Sequence, residues 1–346
     1  MYITFKMDEN KNIYISYWLL LLISLVSLMI VVGGLTRLTD SGLSITRWDL
    51  FTGILPPLTL DDWNHKFLLY KQIPEFKLLN FSMSLENFKV IYWWEYVHRL
   101  LGRIIGIFYL LPLIFFTAYF KIEPRVKLFL YLIFFLICFQ GFIGWYMVES
   151  GLTERTDVSH FRLSLHLSFA FIILIFLIIN FLKFKYPNSK KQENRLPFNL
   201  PIIFLFLVFL QISLGALVSG LDAGQIYQTW PLMGTSFFPN DSNIEDMVNL
   251  ELFNDPSLLQ FLHRNLAYLI IGFFLLIFFI TIKNKRFIHL KRATYFVFFA
   301  LVFQIILGIF TILSGAQIIL ASMHQTGSII LIISSLFLIH KDSKIN

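Results

Sequence analysis

The sequence predicts an all-α membrane protein of eight transmembrane helices, arranged as two tandem, parallel-repeat four-helix bundles. Three observations predict it: an apolar composition, eight hydrophobic runs of spanning length, and an internal repeat four spans long. Of 346 residues, 57% are hydrophobic, 18% aromatic and only 14% charged, with a mean hydropathy of +0.71. A soluble chain of this size is about a quarter charged. Runs of about 20 apolar residues each span roughly 30 Å of hydrocarbon as a helix. Alternating segments of about ten residues, as a closed barrel needs, are absent.

The runs lie at about 15–37, 97–120, 126–149, 161–182, 199–221, 260–282, 292–314 and 318–340. The first has no small-residue cleavage site near its end and reads as a retained helix rather than a signal peptide. Asp8 and Glu9, with no Arg, stand in the segment before it, which argues against a mitochondrial transit peptide. The only cysteine, Cys138, falls in the third run and is expected to be a small apolar core residue. No disulfide within the chain is possible.

The two halves match in order. WEYVHRLLGRIIG (94–106) of the second span corresponds to LQFLHRNLAYLIIG (259–272) of the sixth, and CFQGFIGWYMVESGL (138–152) of the third to VFQIILGIFTILSGA (302–316) of the seventh. RLSLHLSFA (162–170) corresponds to LASMHQTGS (320–328), and VVGGLTRL (31–38) to LVSGLDAG (217–224). Four spans per half give both halves the same orientation in the membrane. The expected units are residues 1–195, with a long outer loop over 38–96, and residues 196–346.

Charge sets the orientation. The two termini and the 2–3, 4–5 and 6–7 connections hold 17 Lys/Arg against five acids, whereas the remainder is net −5. The positive-inside rule places both termini in the cytoplasm, and a bacterial inner membrane is the expected location. The overall +7 is therefore topology and not a nucleic-acid footprint. Two long outer loops follow, about 38–96 and 222–259. The first carries Trp48, Pro56, Pro57, Trp63, Trp93 and Trp94, the second Trp230 and Pro231. Loops of this length in a compact protein are commonly functional.

The repeat also sorts the eight histidines. His98, His166, His263 and His324 occupy equivalent places near the outer ends of the even-numbered spans, while His65, His160, His289 and His340 have no repeat partner. A lone intramembrane histidine serves an interhelical hydrogen bond as readily as a ligand, but such groups are costly and mark function. Two repeat-related pairs favour ligation. Imidazole pairs with no carboxylate or thiolate completing a tetrahedral set suit the axial positions of haem iron; zinc wants a third protein ligand. His98, Gly102 and Gly106 share one helix face, which leaves a groove for a flat macrocycle or simply permits close helix packing.

Arg99 and Arg264 directly follow two of these histidines and suit haem propionates or ordinary interfacial placement. Arg37 is a further candidate, with Arg47, Arg103 and Arg162 weaker ones. One position differs between the halves: Glu95 lies one turn before His98, where Gln260 precedes His263. A carboxylate there is either a proton acceptor beside a porphyrin edge or a helix N-terminal acid favoured by the macrodipole. The difference suggests that one haem reacts and the other serves.

The ordered set GGLTRLTDSGLSITRW (33–48), Glu95-x-x-His98-Arg99, FQGFIGWYMVESGL (139–152), SLHLSFA (164–170), LGALVSGLDAG (214–224), FLHRNLAYL (261–269) and MHQTG (323–327) resembles the haem A synthase family over about residues 15–340. The resemblance implies an eight-helix, two-bundle membrane oxidoreductase acting for cytochrome oxidase. Its implied reaction converts the position 8 methyl of haem O to a formyl group through an alcohol and a hydrated aldehyde. It implies that His98 and His166 bracket substrate haem O, that His263 and His324 ligate a haem b cofactor, and that Glu95 is the essential carboxylate. Cysteine pairs of some members are missing here, so the chain resembles the cysteine-free branch. Haem O synthase, cytochrome oxidase assembly factors and membrane lipid are the implied partners, and an oligomer is compatible with the sequence. The same histidines also suit a quinone-linked di-haem electron-transfer cytochrome. A parallel-repeat transporter would instead place coupling charges near the bilayer midplane.

Overall fold

The computed structural model describes residues 9–48, 52–153, 155–186 and 194–343. Asp8, most of the 4–5 connection and the last three residues lie outside them, so the transit-peptide reading and part of the charge count rest on sequence. Among the described residues eight helices are long and apolar enough to cross a membrane, and no strand occurs beyond one isolated bridge between Met233 and Ser236. The helices are α1 (Glu9–Leu38), α2 (Leu60–Tyr70), α3 (Pro74–Leu78), α4 (Leu85–Tyr119), α5 (Pro124–Leu152), α6 (His160–Lys185), α7 (Leu200–Gly220), α8 (Pro256–Lys283), α9 (Lys291–Leu313) and α10 (Ile318–Asp342). The short α2 and α3 belong to the first outer loop; the rest span.

Local signals set the starts. Ser84 caps α4 by accepting from Asn87 N–H, and Asp255 caps α8 by accepting from Ser257 and Leu258 N–H. Pro124 and Pro256 open their helices, where a missing N–H costs nothing. The second span starts at Leu85 and not near 97. Its 35 residues give about 52 Å of helix, more than hydrocarbon needs. Its polar and aromatic first turns break the hydrophobic run but not the helix.

α1 packs on α4 and α6, and α5 lies against both of these; α7 packs on α8 and α10, and α9 lies against both of those. The two rings meet where α6 runs along α7, α1 along α10, and α6 touches α10. One apolar core, including Leu22, Tyr109, Phe171, Leu177, Phe204, Phe274 and Ile332, runs through both. Polar contacts pin the seams. Gln325 Nε2 donates to the Ile30 carbonyl at 2.9 Å, and its side chain fills the space that a Cβ on Gly34 would need. Ser164 Oγ donates to the Ser213 carbonyl at 2.8 Å. At the outer end, Arg37 donates to the Ser219 carbonyl and Asp222 and pairs with Asp40 and Asp157.

Two expectations change. Cys138 lies partly exposed on the outside of α5, because an unbroken apolar run fixes depth but not which face meets the protein. The α1–α7 alignment shifts by four residues, pairing VGGLTRLTDSG (32–42) with LGALVSGLDAG (214–224). In this register Asp40 and Asp222 coincide, and both have left-handed backbone, φ 47° and 49°.

The first outer loop builds a small cap on α4. Phe67, Tyr70, Phe76, Phe88, Tyr92 and Tyr96 form its own core, with the Phe67 and Phe88 rings stacked at 5.0 Å. Glu75 is sealed inside at 5% exposure, and its Oε2 has no partner. Burial, reinforced by the negative charges of Asp40 and Asp157, pushes its carboxyl up to about 8 from 4.5. The folded chain therefore holds a proton that the unfolded chain releases, so stability falls as pH rises from about 4.5 to about 8 and is level above. Glu75→Gln is expected to raise the melting temperature by about 3 °C or more at pH 8 and to leave it little changed at pH 5. Thermal melts of the purified protein at the two pH values check this.

Candidate functional site

The four repeat-related histidines come together as two pairs. His98 of α4 faces His166 of α6, with ring centroids 6.3 Å apart and planes at 87°. His263 of α8 faces His324 of α10 at 6.4 Å and 82°. All four rings are half-buried near the outer ends of their helices. His160, the other histidine of α6's first turns, is not opposite His98; it is buried at the α6–α7 seam, with its Cβ against Gly220.

Each ring is seated by a glycine on a neighbouring odd-numbered span. A Cβ would come within 3.1 Å of His98 at Gly33, 3.1 Å of His166 at Gly144, 3.0 Å of His263 at Gly215 and 2.9 Å of His324 at Gly308. These distances are tighter than ordinary side-chain contact, so only glycine lets the backbone lie flat against the imidazole. A glutamine one turn earlier fixes the helix register. Gln140, Gln211 and Gln304 donate through Nε2 to the carbonyls of His166, His263 and His324 at 2.9, 2.8 and 2.8 Å. Sequence reasoning passed over this device, although Gln-x-x-x-Gly occurs at 140, 211 and 304 and could have revealed it. In α1 Met29 stands at the glutamine position, and its methyl lies where a Cβ on Gly102 would come within 3.3 Å. Gly102 is thus a packing glycine, whereas a Cβ on Gly106 would meet nothing within 4 Å.

The pair spacing decides which group fits. An imidazole nitrogen binds a metal at about 2.0 Å and its ring centre lies about 1.1 Å behind, so two axial imidazoles stand about 6.2 Å apart. The observed separations match this for both pairs. No cluster of three or more His, Cys, Asp or Glu that could hold a metal ion occurs among the described residues. The buried Oε1 atoms of Gln140, Gln211 and Gln304 and the Nδ1 atoms of His263 and His324 have no protein partner. Buried polar groups of this kind usually answer to a ligand or water.

Beside His98 and beside His263 a loop strap is clasped by the helix that carries the histidine, and the straps repeat. Gly42-Leu-Ser-Ile-Thr-Arg-Trp48 corresponds to Gly224-Gln-Ile-Tyr-Gln-Thr-Trp230, residue for residue. Arg99 donates to the carbonyls of Ile45 at 2.8 Å and Arg47 at 3.2 Å. Arg264 donates to those of Tyr227 and Thr229, both at 2.8 Å. The clasps differ in their second member. Glu95, 2% exposed, accepts from Arg99 Nε and Nη2 at 3.0 and 2.6 Å and from Ser44 Oγ and Ile45 N–H at 2.7 Å each. Gln260 donates to the Tyr227 carbonyl at 3.1 Å, and its Oε1 has no partner.

The arginines therefore stand in different states. Arg99 uses at least four of its five N–H bonds on Glu95 and the strap. Arg37 is held at the seam among three aspartates. Arg162 donates to the Tyr146 carbonyl and lies over that ring. Arg264 is buried beside no carboxylate among the described residues, and its Nε is without a partner.

Residues 16–336 match the family model described as cytochrome oxidase assembly protein. The chain is similar to proteins named heme A synthase: 53% identical over 345 residues to that of Pelagibacter ubique, covering 98% of this chain and 99% of the relative. The Rickettsia bellii protein of that name is 43% identical, over 93% of this chain and 96% of its own. The Sinorhizobium fredii protein is 38% identical, over 94% and 89%.

Proposed function

The chain belongs to the family of cytochrome oxidase assembly proteins, and from that premise we propose that it is a haem A synthase, oxidising the position 8 methyl of haem O to a formyl group. The observation that carries this reading is the two imidazole pairs, each at the spacing of axial haem ligands, beside straps that repeat in backbone but differ in side chains. Residues 1–195 form the unit in which His98 and His166 bracket haem O. Residues 196–346 form the unit in which His263 and His324 hold haem b.

Haem b in that position would supply one-electron transfer. The protein's own part is positional. Glycine seats hold all four imidazoles, and glutamine bonds fix the backbone of His166, His263 and His324. Arg264, a buried cation with a donor to spare, suits a propionate of the resident haem. A cytochrome that only passed electrons between two equivalent haems would leave the Glu95–Ser44 pairing, present in one half alone, without a purpose. The charge asymmetry supports an inner-membrane location with both termini cytoplasmic. The long outer loops are surfaces on which haem O synthase or oxidase assembly factors would dock.

Chromatographic identification of the haems that co-purify tests the reading. Haem b together with haem O or haem A is expected; haem O supply with no haem A formed would overturn it. The ring planes add a spectroscopic expectation. A haem held between imidazoles that kept these angles would have two iron d orbitals nearly equal in energy, so electron paramagnetic resonance is expected to show strongly anisotropic low-spin ferric signals. A rhombic three-line spectrum at either site would contradict the 87° and 82° angles.

A further inference from the structure

We propose that Arg47 is the anion-binding residue of the substrate site, engaging a carboxylate of the incoming haem, and that Glu95 and Ser44 are positioning residues that hold it there. The proposal rests on the haem reading above and adds to it residues that reading does not use.

The backbones of the two straps are held alike, because Arg99 and Arg264 grip the same pair of carbonyls. Every side chain between the shared glycine and tryptophan differs, and three of the differences bear on charge and polar pairing: Ser44 for Ile226, Arg47 for Thr229 and, on the helix, Glu95 for Gln260. Ser44 and Glu95 change together because they bond each other, the hydroxyl donating to the carboxylate at 2.7 Å. An isoleucine and an amide have no such bond to make. The third difference, Arg47, lies on the segment those two residues fix.

Charge explains why the third change accompanies the others. In the C-terminal half Arg264 has no acid beside it among the described residues, so the site keeps one buried cation. In the N-terminal half Glu95 neutralises Arg99 and occupies its donors. A cation for an anionic ligand must then come from elsewhere. Arg47 is exposed, and its guanidinium makes no hydrogen bond or ion pair among the described residues. Its carbonyl accepts from Arg99 at 3.2 Å, which holds the Arg47 backbone beside the turn of α4 that carries His98. The placement matches the task. A resident cofactor suits a buried cation, and a substrate that must enter and leave suits an exposed one, whose ion pairs are weak and quickly exchanged.

Glu95 in turn has both oxygens occupied by four donors. Taking a proton from a substrate would mean releasing Ser44 and Ile45. Its carboxylate acts through the strap.

The test titrates purified protein, its C-terminal haem in place, with haemin and with haemin dimethyl ester, which lacks free carboxylates. Wild type is expected to bind haemin about fivefold more tightly than the diester. Arg47→Ala should erase that preference by weakening haemin alone, and Arg47→Lys should restore part of it. Ser44→Ala should give the same loss, Ser44→Thr should recover it, and adding Ser44→Ala to Arg47→Ala should cost nothing more. A preference intact in Arg47→Ala overturns the proposal while leaving the haem reading in place. Uptake of neither ligand by wild type overturns both.

Discussion

Replacing His324 by alanine is expected to strip haem b from the C-terminal half and, with it, nearly all conversion of haem O. Loss of a partner in the shell around a metal ligand already lowers affinity about 10–100-fold, and loss of the ligand itself should exceed the upper figure. The ring sits on Gly308 with Gln304 bound to its backbone carbonyl. His324→Ala protein should retain its fold and the N-terminal pair. Haem extraction and the reduced absorption spectrum check this; a variant with full haem b and normal turnover would remove His324 from the site.

Glu95→Ala carries the second large effect and a different signature. Haem b should stay at wild-type content while conversion falls about 100-fold, the scale of a reacting group displaced by roughly an ångström. The substitution leaves Ser44 Oγ, Ile45 N–H and part of Arg99 without their acceptor, and breaking a buried ion pair costs about 3 kcal/mol. Folding should therefore weaken, with the change confined to the outer end of α4. Glu95→Gln is the informative companion. An amide oxygen can still accept from Ser44 and Ile45, so this variant should keep the strap and a measurable share of activity. If Glu95→Gln is as inactive as Glu95→Ala while haemin binding is normal, the carboxylate itself takes part in the chemistry.

Spans and the histidine pairing were legible because both rest on residue type at a fixed period. An apolar run must be a helix in lipid, and a repeat brings equivalent residues to equivalent places. Three features were not legible in the same way. α4 extends outward to Leu85 through Trp93, Trp94 and Glu95, which hydropathy counts as loop although a helix tolerates them. The local pattern aligns Gly34-Leu35 of α1 with Gly220-Leu221 of α7, while the structure matches Gly33 with Gly215, since the imidazole and not the local pattern selects the residue. The roles of Arg99 and Arg37 depended on acceptors distant in sequence: Arg47 and Ile45 carbonyls for one, Asp157 and Asp222 for the other. Sequence showed Arg99 beside His98, but not what its guanidinium would grip.

Gly33 and Gly34 point about 100° apart from one turn of α1. The first lies under His98, the second under Gln325, the neighbour of His324. Adjacent positions of α1 thus answer to different neighbours: a Cβ on Gly33 would press on an imidazole, one on Gly34 on the side chain that ties α10 to α1. One turn of helix is both the seat of a ring and the mortar of the seam. A chain cut between its halves would keep the seat and lose the mortar, so the duplicated units, however alike, are no longer interchangeable parts.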